Sequence, residues 1–254
     1  MIDLNGLEAK FARMGARIKI ADQTNRWAQS SHFPVRLNVL ADKDGEYYEV
    51  SGSREKVAQV EILDVQPEKR HLLVMVRENQ VKHKFLCGHD ERHWFVAALP
   101  DKAPVGNVRA AMESLKPAEV RAAQAREQLS AERGNHRKNP AFRRQGEWFF
   151  VPAPEMRADP KLVLTNEPIS RGNGGKPHMC EFLYRTGGEP VYIAREVWGA
   201  YTEQERVELI KQRPEAANWR WTQRMRNAKV LVRGRVRHAD HKTIMLNGWH
   251  RVLM

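Results

Sequence analysis

The residues best suited to chemistry lie near the C-terminal end: His238, Asp240 and His241, followed by His250. Their spacing fits a hairpin turn. A tight turn brings two imidazoles and a carboxylate toward one point, as an acid–base pair or a metal site requires. His178 and Cys180 can join them from a loop, and His250 from the last strand. Around them runs a basic stretch, 219–242, with Arg220, Arg224, Arg226, Lys229, Arg233, Arg235, Arg237 and Lys242; Asp240 is its only acid. In a hydrolytic reading His238 and His241 serve as acid and base, and Arg235 or Lys242 stabilises charge on a phosphoryl group. In a structural reading the same histidines face solvent or cap backbone groups. The sequence specifies no cofactor and leaves a metal open.

A second cluster comprises Cys87, His89, Asp90 and His93. Cys-x-His followed by His four residues later superficially resembles zinc-ligand spacing, but no second ligand pair lies nearby. Cys87 also reads as a small buried strand residue. Sequence distance alone does not decide whether the two histidine clusters meet. The glycine-rich loop 171–178 lacks the spacing and hydroxyl residue of a phosphate-binding P-loop, because Pro177 follows Lys176. Its backbone amides suit either a phosphate or a plain loop.

The 254 residues carry a formal charge of +12. Such basicity favours a polyanionic partner. Two stretches supply candidate contacts. Residues 133–144 hold Arg137, Lys138, Arg143 and Arg144 with no acid after Glu132, and read as a flexible linker or an arm that orders on a polyanion. Residues 214–228 are expected as a helix opened by Pro214. Its inward side would be Trp221 and Met225. Arg220, Arg224 and Lys229 would meet phosphates, with Arg233 beyond, and Trp219 would stack on a base. No apolar run approaches the ~20 residues of a membrane span. The start, Met1-Ile2-Asp3-Leu4, lacks a signal-peptide layout. Two cysteines far apart fit a reduced, cytoplasmic protein without a disulfide framework.

These groups need elements to position them. Leu7, Phe11, Met14 and Ile18 recur at helical spacing over 7–18. Strands follow at 36–40 and 47–50 around an Asp-Lys-Asp-Gly turn, then at 57–65, 71–77, 81–87 and 93–99, an antiparallel meander. Helices are expected at 108–115 and 118–132. Further strands are expected at 147–152, 162–164, 181–184, 190–194, 230–232 and 243–246. Thr202 and Glu205 form a capping box before a helix to 211. The fold class is α+β: two antiparallel β-rich halves, 1–100 and 145–254, joined by a helical, basic connector, 101–144.

The C-terminal half carries a recurring pattern. Arg144-Gln145-Gly146-Glu147 leads to Pro177-His178-Met179, then to His238-Ala239-Asp240-His241, Ile244, Leu246 and Gly248-Trp249-His250-Arg251-Val252. It resembles an uncharacterised group of small bacterial and phage β-rich proteins. Glu147 stands where that pattern more often has Asp, and the loop has one histidine where it often has two. The resemblance covers less than half the chain and implies a compact β fold with a histidine-lined face. The leading functional expectation is nucleic-acid binding, RNA ahead of DNA. The alternatives are a histidine-dependent nuclease or phosphodiesterase and a non-catalytic module for an acidic protein partner.

Overall fold

A computed structural model describes residues 4–21, 35–52, 60–78, 81–100, 103–171 and 175–254. The fold is α+β and rich in antiparallel sheet, with four α-helices and sixteen strands among the described residues. No described helix is long and apolar enough to cross a membrane. Contacts divide the chain into two units, Met1–Arg121 and Ala122–Met254.

In the first unit α1 (Leu4–Arg13) buries Leu7 and Phe11, with Met14 buried just past its end, and exposes Glu8, Lys10 and Arg13, as the helical spacing requires. The helix stops earlier than 18. Gly15 N–H bonds to the Ala12 carbonyl and Ala16 N–H to the Phe11 carbonyl, a Schellman closure. Ile18 then opens β1 (Ile18–Ala21). β2 (Val35–Asp42) and β3 (Gly45–Gly52) form the expected hairpin, and β1 joins β3 in parallel. β4 (Val60–Gln66), β5 (His71–Glu78), β6 (Val81–Asp90) and β7 (His93–Ala98) form the expected meander in sequential order; residues 57–59 of the strand expected at 57–65 lie outside the described ones.

The core of this unit gathers Phe11, Tyr48, Val50, Leu72, Val74, Cys87 and Trp94. Tyr48 sits at its centre. Its ring meets Phe11 and Trp94 edge-on at 5.1 and 5.6 Å. Its hydroxyl lies 3.0 Å from the carbonyls of both Gly88 and Phe95. The second core cluster packs α2 (Val108–Ser114) through Val108 and Ala111 with Leu73, Leu86 and Leu99. Asn107 caps this helix at Ala110 N–H, and Asp64 accepts from Val108 N–H. α3 (Ala118–Arg126) spans the junction between the units and ends six residues short of expectation, at a turn where Gln128 has φ 49.

The second unit contains, in order, β8 (Arg143–Gln145), β9 (Trp148–Pro152), β10 (Leu164–Ile169), β11 (His178–Thr186), β12 (Glu189–Ala194), β13 (Val197–Tyr201), α4 (Glu203–Gln212), β14 (Thr222–Arg226), β15 (Lys229–Arg237) and β16 (Ile244–Leu253). Six strands form one antiparallel sheet in the order β10-β11-β15-β16-β9-β8, and three form another in the order β13-β12-β14. One face of the six-stranded sheet packs Phe150, Ile169, Cys180, Leu183, Val232, Val236 and Leu246. The other face is covered in part where Tyr184, Leu231 and Trp249 meet Ala153, Met156 and Val163. The capping box at Thr202 and Glu205 opens α4 as read from sequence.

Two expectations change here. Residues 214–228 are not a helix: Pro214–Asn218 makes a short 3-10 turn, and β14 follows. Cross-strand partners decide this, because Arg224 lies opposite Val191 and Arg226 pairs with Glu189 at 2.6 Å. Residues 133–144 are ordered rather than a loose arm. Gln124 donates to the Gly134 carbonyl, Asn139 accepts from Ala141 and Phe142, and Phe142 is buried edge-on to Phe149 at 5.1 Å. One buried aromatic ring, the Gln124 amide and an Asx turn hold a stretch whose charge suggested mobility.

Tyr48→Phe keeps the ring and deletes the hydroxyl whose single proton the two carbonyls share. It should lower stability by about 1–2 kcal/mol. Urea unfolding would register this as a lower midpoint at unchanged slope. An unmoved midpoint would show that the hydroxyl adds nothing.

Candidate functional site

The pairing of β11 with β15 builds the histidine cluster. Met179 lies opposite Arg237, so the neighbours His178 and His238 meet at the end of the ladder. His178 also lies opposite Ile169 and is 3 % exposed, with the Trp148 ring edge-on at 6.2 Å. His238 stacks on His178 with centroids 4.2 Å apart. His241 lies 4.6 Å from His238 and 5.7 Å from His178. One ring nitrogen from each falls within 4.8 Å of the others. Among the described residues this is the only group of three or more histidine, cysteine or acidic side chains that converges in this way.

The turn from 238 to 243 is fastened from outside. Gln145, fully buried, donates to the Lys242 carbonyl at 2.7 Å and the Val236 carbonyl at 3.3 Å. His238 accepts Asp240 N–H on Nδ1 at 3.1 Å, and its Nε2 lies 3.2 Å from the Lys176 carbonyl. That pairing implies the tautomer with the proton on Nε2. The Asp240 carboxylate is turned to the Lys176 ammonium at 2.8 Å. It therefore does not converge with the imidazoles as the sequence spacing suggested. Gly146 follows Gln145 with φ +58. A Cβ there would come within 2.9 Å of His241 Nε2 and 3.6 Å of His178 Nε2, so a bare backbone lets these two nitrogens approach the same point.

The His178 pKa is held down at about 4, first by burial and then by the neighbouring His238 and His241, with the Gln145 backbone opposing them. Neither His178 ring nitrogen has a hydrogen-bond partner. Burial also lowers the His250 pKa. His250 lies opposite Val232 and Pro152 with Nδ1 against the Gly248 carbonyl, outside the converging group. The Cys180 thiol is pushed up to about 12 by burial, and its sulfur faces the His178 carbonyl at 4.0 Å. It is no thiolate at neutral pH.

The cluster at 87–93 belongs to the first unit and brings no ligands together. Cys87 is a fully buried core residue with its pKa raised by burial, His93 pairs with Glu46 at 2.7 Å, and His89 meets Trp94 edge-on. In the glycine-rich loop, residues 172–174 lie outside the described ones.

β15 also carries a cationic face. Val232 and Val236 enter the core, while Arg233, Arg235 and Arg237 are exposed. The Arg233 guanidinium lies over Phe182 at 4.9 Å and Trp249 at 5.0 Å. Arg235 donates its backbone N–H and Nε to Glu181, and Arg237 reaches Asn166 at 2.6 Å. Arg235 is thus held by Glu181 on the side away from Val236, whereas Lys242 contributes its carbonyl to the histidine turn. Of the chain's +12, the second unit carries +10, from 24 Lys and Arg against 14 Asp and Glu.

The remaining candidates are scattered over this unit. Arg137 is half-buried beside Arg144, its pKa lowered to about 10 by burial and then by that neighbour. Arg144 lies over Phe149 at 5.9 Å, and Lys138 bridges to Arg143. Trp219 is half-buried against Trp221 at 5.8 Å and ends the 3-10 turn rather than lying on a helix. Arg220, Arg224 and Lys229 are exposed. Sequence reading did not single out Trp198, which is 98 % exposed on β13, or Phe182 and Trp249 beneath Arg233. Their signal is alternation: Val197 lies inward of Trp198, and Arg233 lies opposite Phe182. No protein-family model, curated protein or solved structure matches the chain.

His178 is neutral in the fold but takes a proton near 6.5 once unfolded. The unfolded chain therefore binds more protons between pH 6.5 and about 4, and stability is present above 6.5 and declines as pH falls through that window. The loss should reach up to roughly 3 kcal/mol. Urea unfolding of chelator-treated protein across that range measures it, and His178→Leu should flatten the slope. An equal slope in the variant would show that His178 is not the buried neutral group responsible.

Proposed function

We propose that the second unit binds single-stranded nucleic acid, RNA ahead of DNA, on the outer face of β15. One observation carries this reading: the Arg233 guanidinium lies over two aromatic rings and heads a row of exposed cations, Arg233, Arg235 and Arg237, at alternate positions of one strand. Alternate strand positions lie about 7 Å apart, far enough for Arg233, Arg235 and Arg237 to reach separate phosphates. A guanidinium fixed on aromatic rings presents a plane on which a base can stack. Phosphate contacts supply affinity without reading sequence. The charge of the unit supports the same partner, as does the open Trp198 ring. Arg220, Arg224, Lys229, Lys138 and Arg143 extend the positive surface.

Fluorescence anisotropy with labelled single- and double-stranded RNA and DNA across salt tests the proposal. Three phosphate contacts on a single strand give a log–log salt slope near −2, and each arginine removed should reduce it by about 0.7. Arg233→Ala, which also loses the stacking plane, should weaken binding at least tenfold. No binding, or variants equal to wild type, would remove the reading. Cleavage of the strand would point instead to hydrolysis at the histidines. Competition by polyglutamate but not by RNA would point to an acidic protein partner.

A further inference from the structure

We infer that His178, His238 and His241 form a three-histidine site for a divalent ion of the zinc class, with one coordination position left open. This site lies on the core side of β15 and does not depend on the nucleic-acid reading, which rests on the outer side.

Three observations carry it. The first is convergence: one nitrogen from each ring lies within 4.8 Å of the others, and the ring centroids are 4.2 to 5.7 Å apart. Three imidazoles on one ion at about 2 Å per bond place their centroids about 5 Å apart, so modest ring rotations close the site. The second is the unsatisfied state of His178. It is 3 % exposed, in contact with the other two rings, and neither nitrogen has a hydrogen-bond partner. A buried polar ring without a partner needs an explanation, and a coordinated ion supplies one. The third is the bare Gly146 backbone, where His178 Nε2 and His241 Nε2 approach the same point.

The surroundings suit ligation. A ligating histidine usually donates its other ring N–H to a carbonyl or carboxylate, which fixes its orientation. The Lys176 carbonyl stands at His238 Nε2. This leaves Nδ1 with the lone pair, now accepting Asp240 N–H. At the exposed turn, water replaces that acceptor when an ion binds. Cys180 faces the His178 carbonyl and the Asp240 carboxylate faces Lys176, so the donors are three neutral imidazoles. Such a set selects zinc, cobalt, nickel or copper over magnesium or calcium. Three ligands leave a fourth position of a tetrahedral ion, and His238 and His241 are only half-buried, so it opens toward solvent.

The test uses the full chain without an affinity tag, stripped with chelator. Zinc is titrated by calorimetry, and cobalt by its visible absorption. Expected are one equivalent bound at roughly micromolar affinity or tighter, cobalt bands of a low-coordinate site, and a raised thermal midpoint with zinc. His238→Gln and His241→Gln, both on the half-exposed turn, should each weaken binding at least tenfold, while His93→Gln in the first unit should leave it unchanged. Their circular dichroism and unfolding profiles confirm that they fold. No zinc or cobalt binding by the folded wild type, or binding equal in folded His238→Gln and His241→Gln, would overturn the site.

Discussion

The register between β11 and β15 sorts the second unit into two chemistries. Cys180 opposite Val236 and Leu183 opposite Val232 send those side chains into the core. His178 follows the same side to the end of the ladder, and the intervening arginines of β15 emerge on the other. The ladder slips between Cys180 and Phe182, where three residues of β15 span two of β11. Gly234 occupies that bulge with φ +81. A Cβ there would sit 2.7 Å from Glu181 Oε2. The missing side chain lets Glu181 fold over the strand and take two donors from Arg235. A bulge of this kind re-aims side chains without breaking the sheet. Here it brings Arg233 onto Phe182 and Trp249 while keeping Val232 and Val236 inside.

The cations do little to hold this unit together. Most ion pairs among the described residues are exposed, and such pairs add little to stability. Arg226 with Glu189, Arg235 with Glu181 and Lys176 with Asp240 are of this kind. Two half-buried arginines repel each other at 137 and 144, and the Phe149 ring under Arg144 offsets part of that cost. Apolar packing around Phe150, Leu183, Val232 and Leu246 must overcome both the self-repulsion of a +10 unit and the burial of His178 and Gln145. The charge therefore opposes folding more than it aids it, and its main effect is the positive field around the unit.

Much of the fold was legible because strands announce themselves by alternation and turns by Asp and Gly. The hairpin at Asp42–Gly45 and the run from His71 to Ala98 needed nothing else. Thr202 and Glu205 marked a helix start through a bond within one turn. Pro214 with Trp221 and Met225 imitated a helix, because their spacing of four is helical while the cross-strand partners Val191 and Glu189 lie more than thirty residues away. The histidine cluster was half legible for the same reason. His238 and His241 share a turn, but only the ladder brings in His178. The pairing of Asp240 with Lys176 and the seat of Arg235 on Glu181 are likewise long-range facts that local spacing does not encode.

Gln145 is the point at which these parts are tied. The histidine turn has few backbone bonds of its own, and Gln145 supplies donors to carbonyls at both of its ends. Its carbonyl oxygen is left without a partner in the interior, a desolvation cost accepted to fasten the turn. Because Gln145 closes β8 and Gly146 follows it directly, the same short segment both anchors the turn and clears room for His241. β15 leads into that turn and carries the arginine face on its other side. A shift of β15 against β8 and β9 would thus move the histidines and the guanidinium row together. Attachment through one buried amide keeps the two faces in fixed relation.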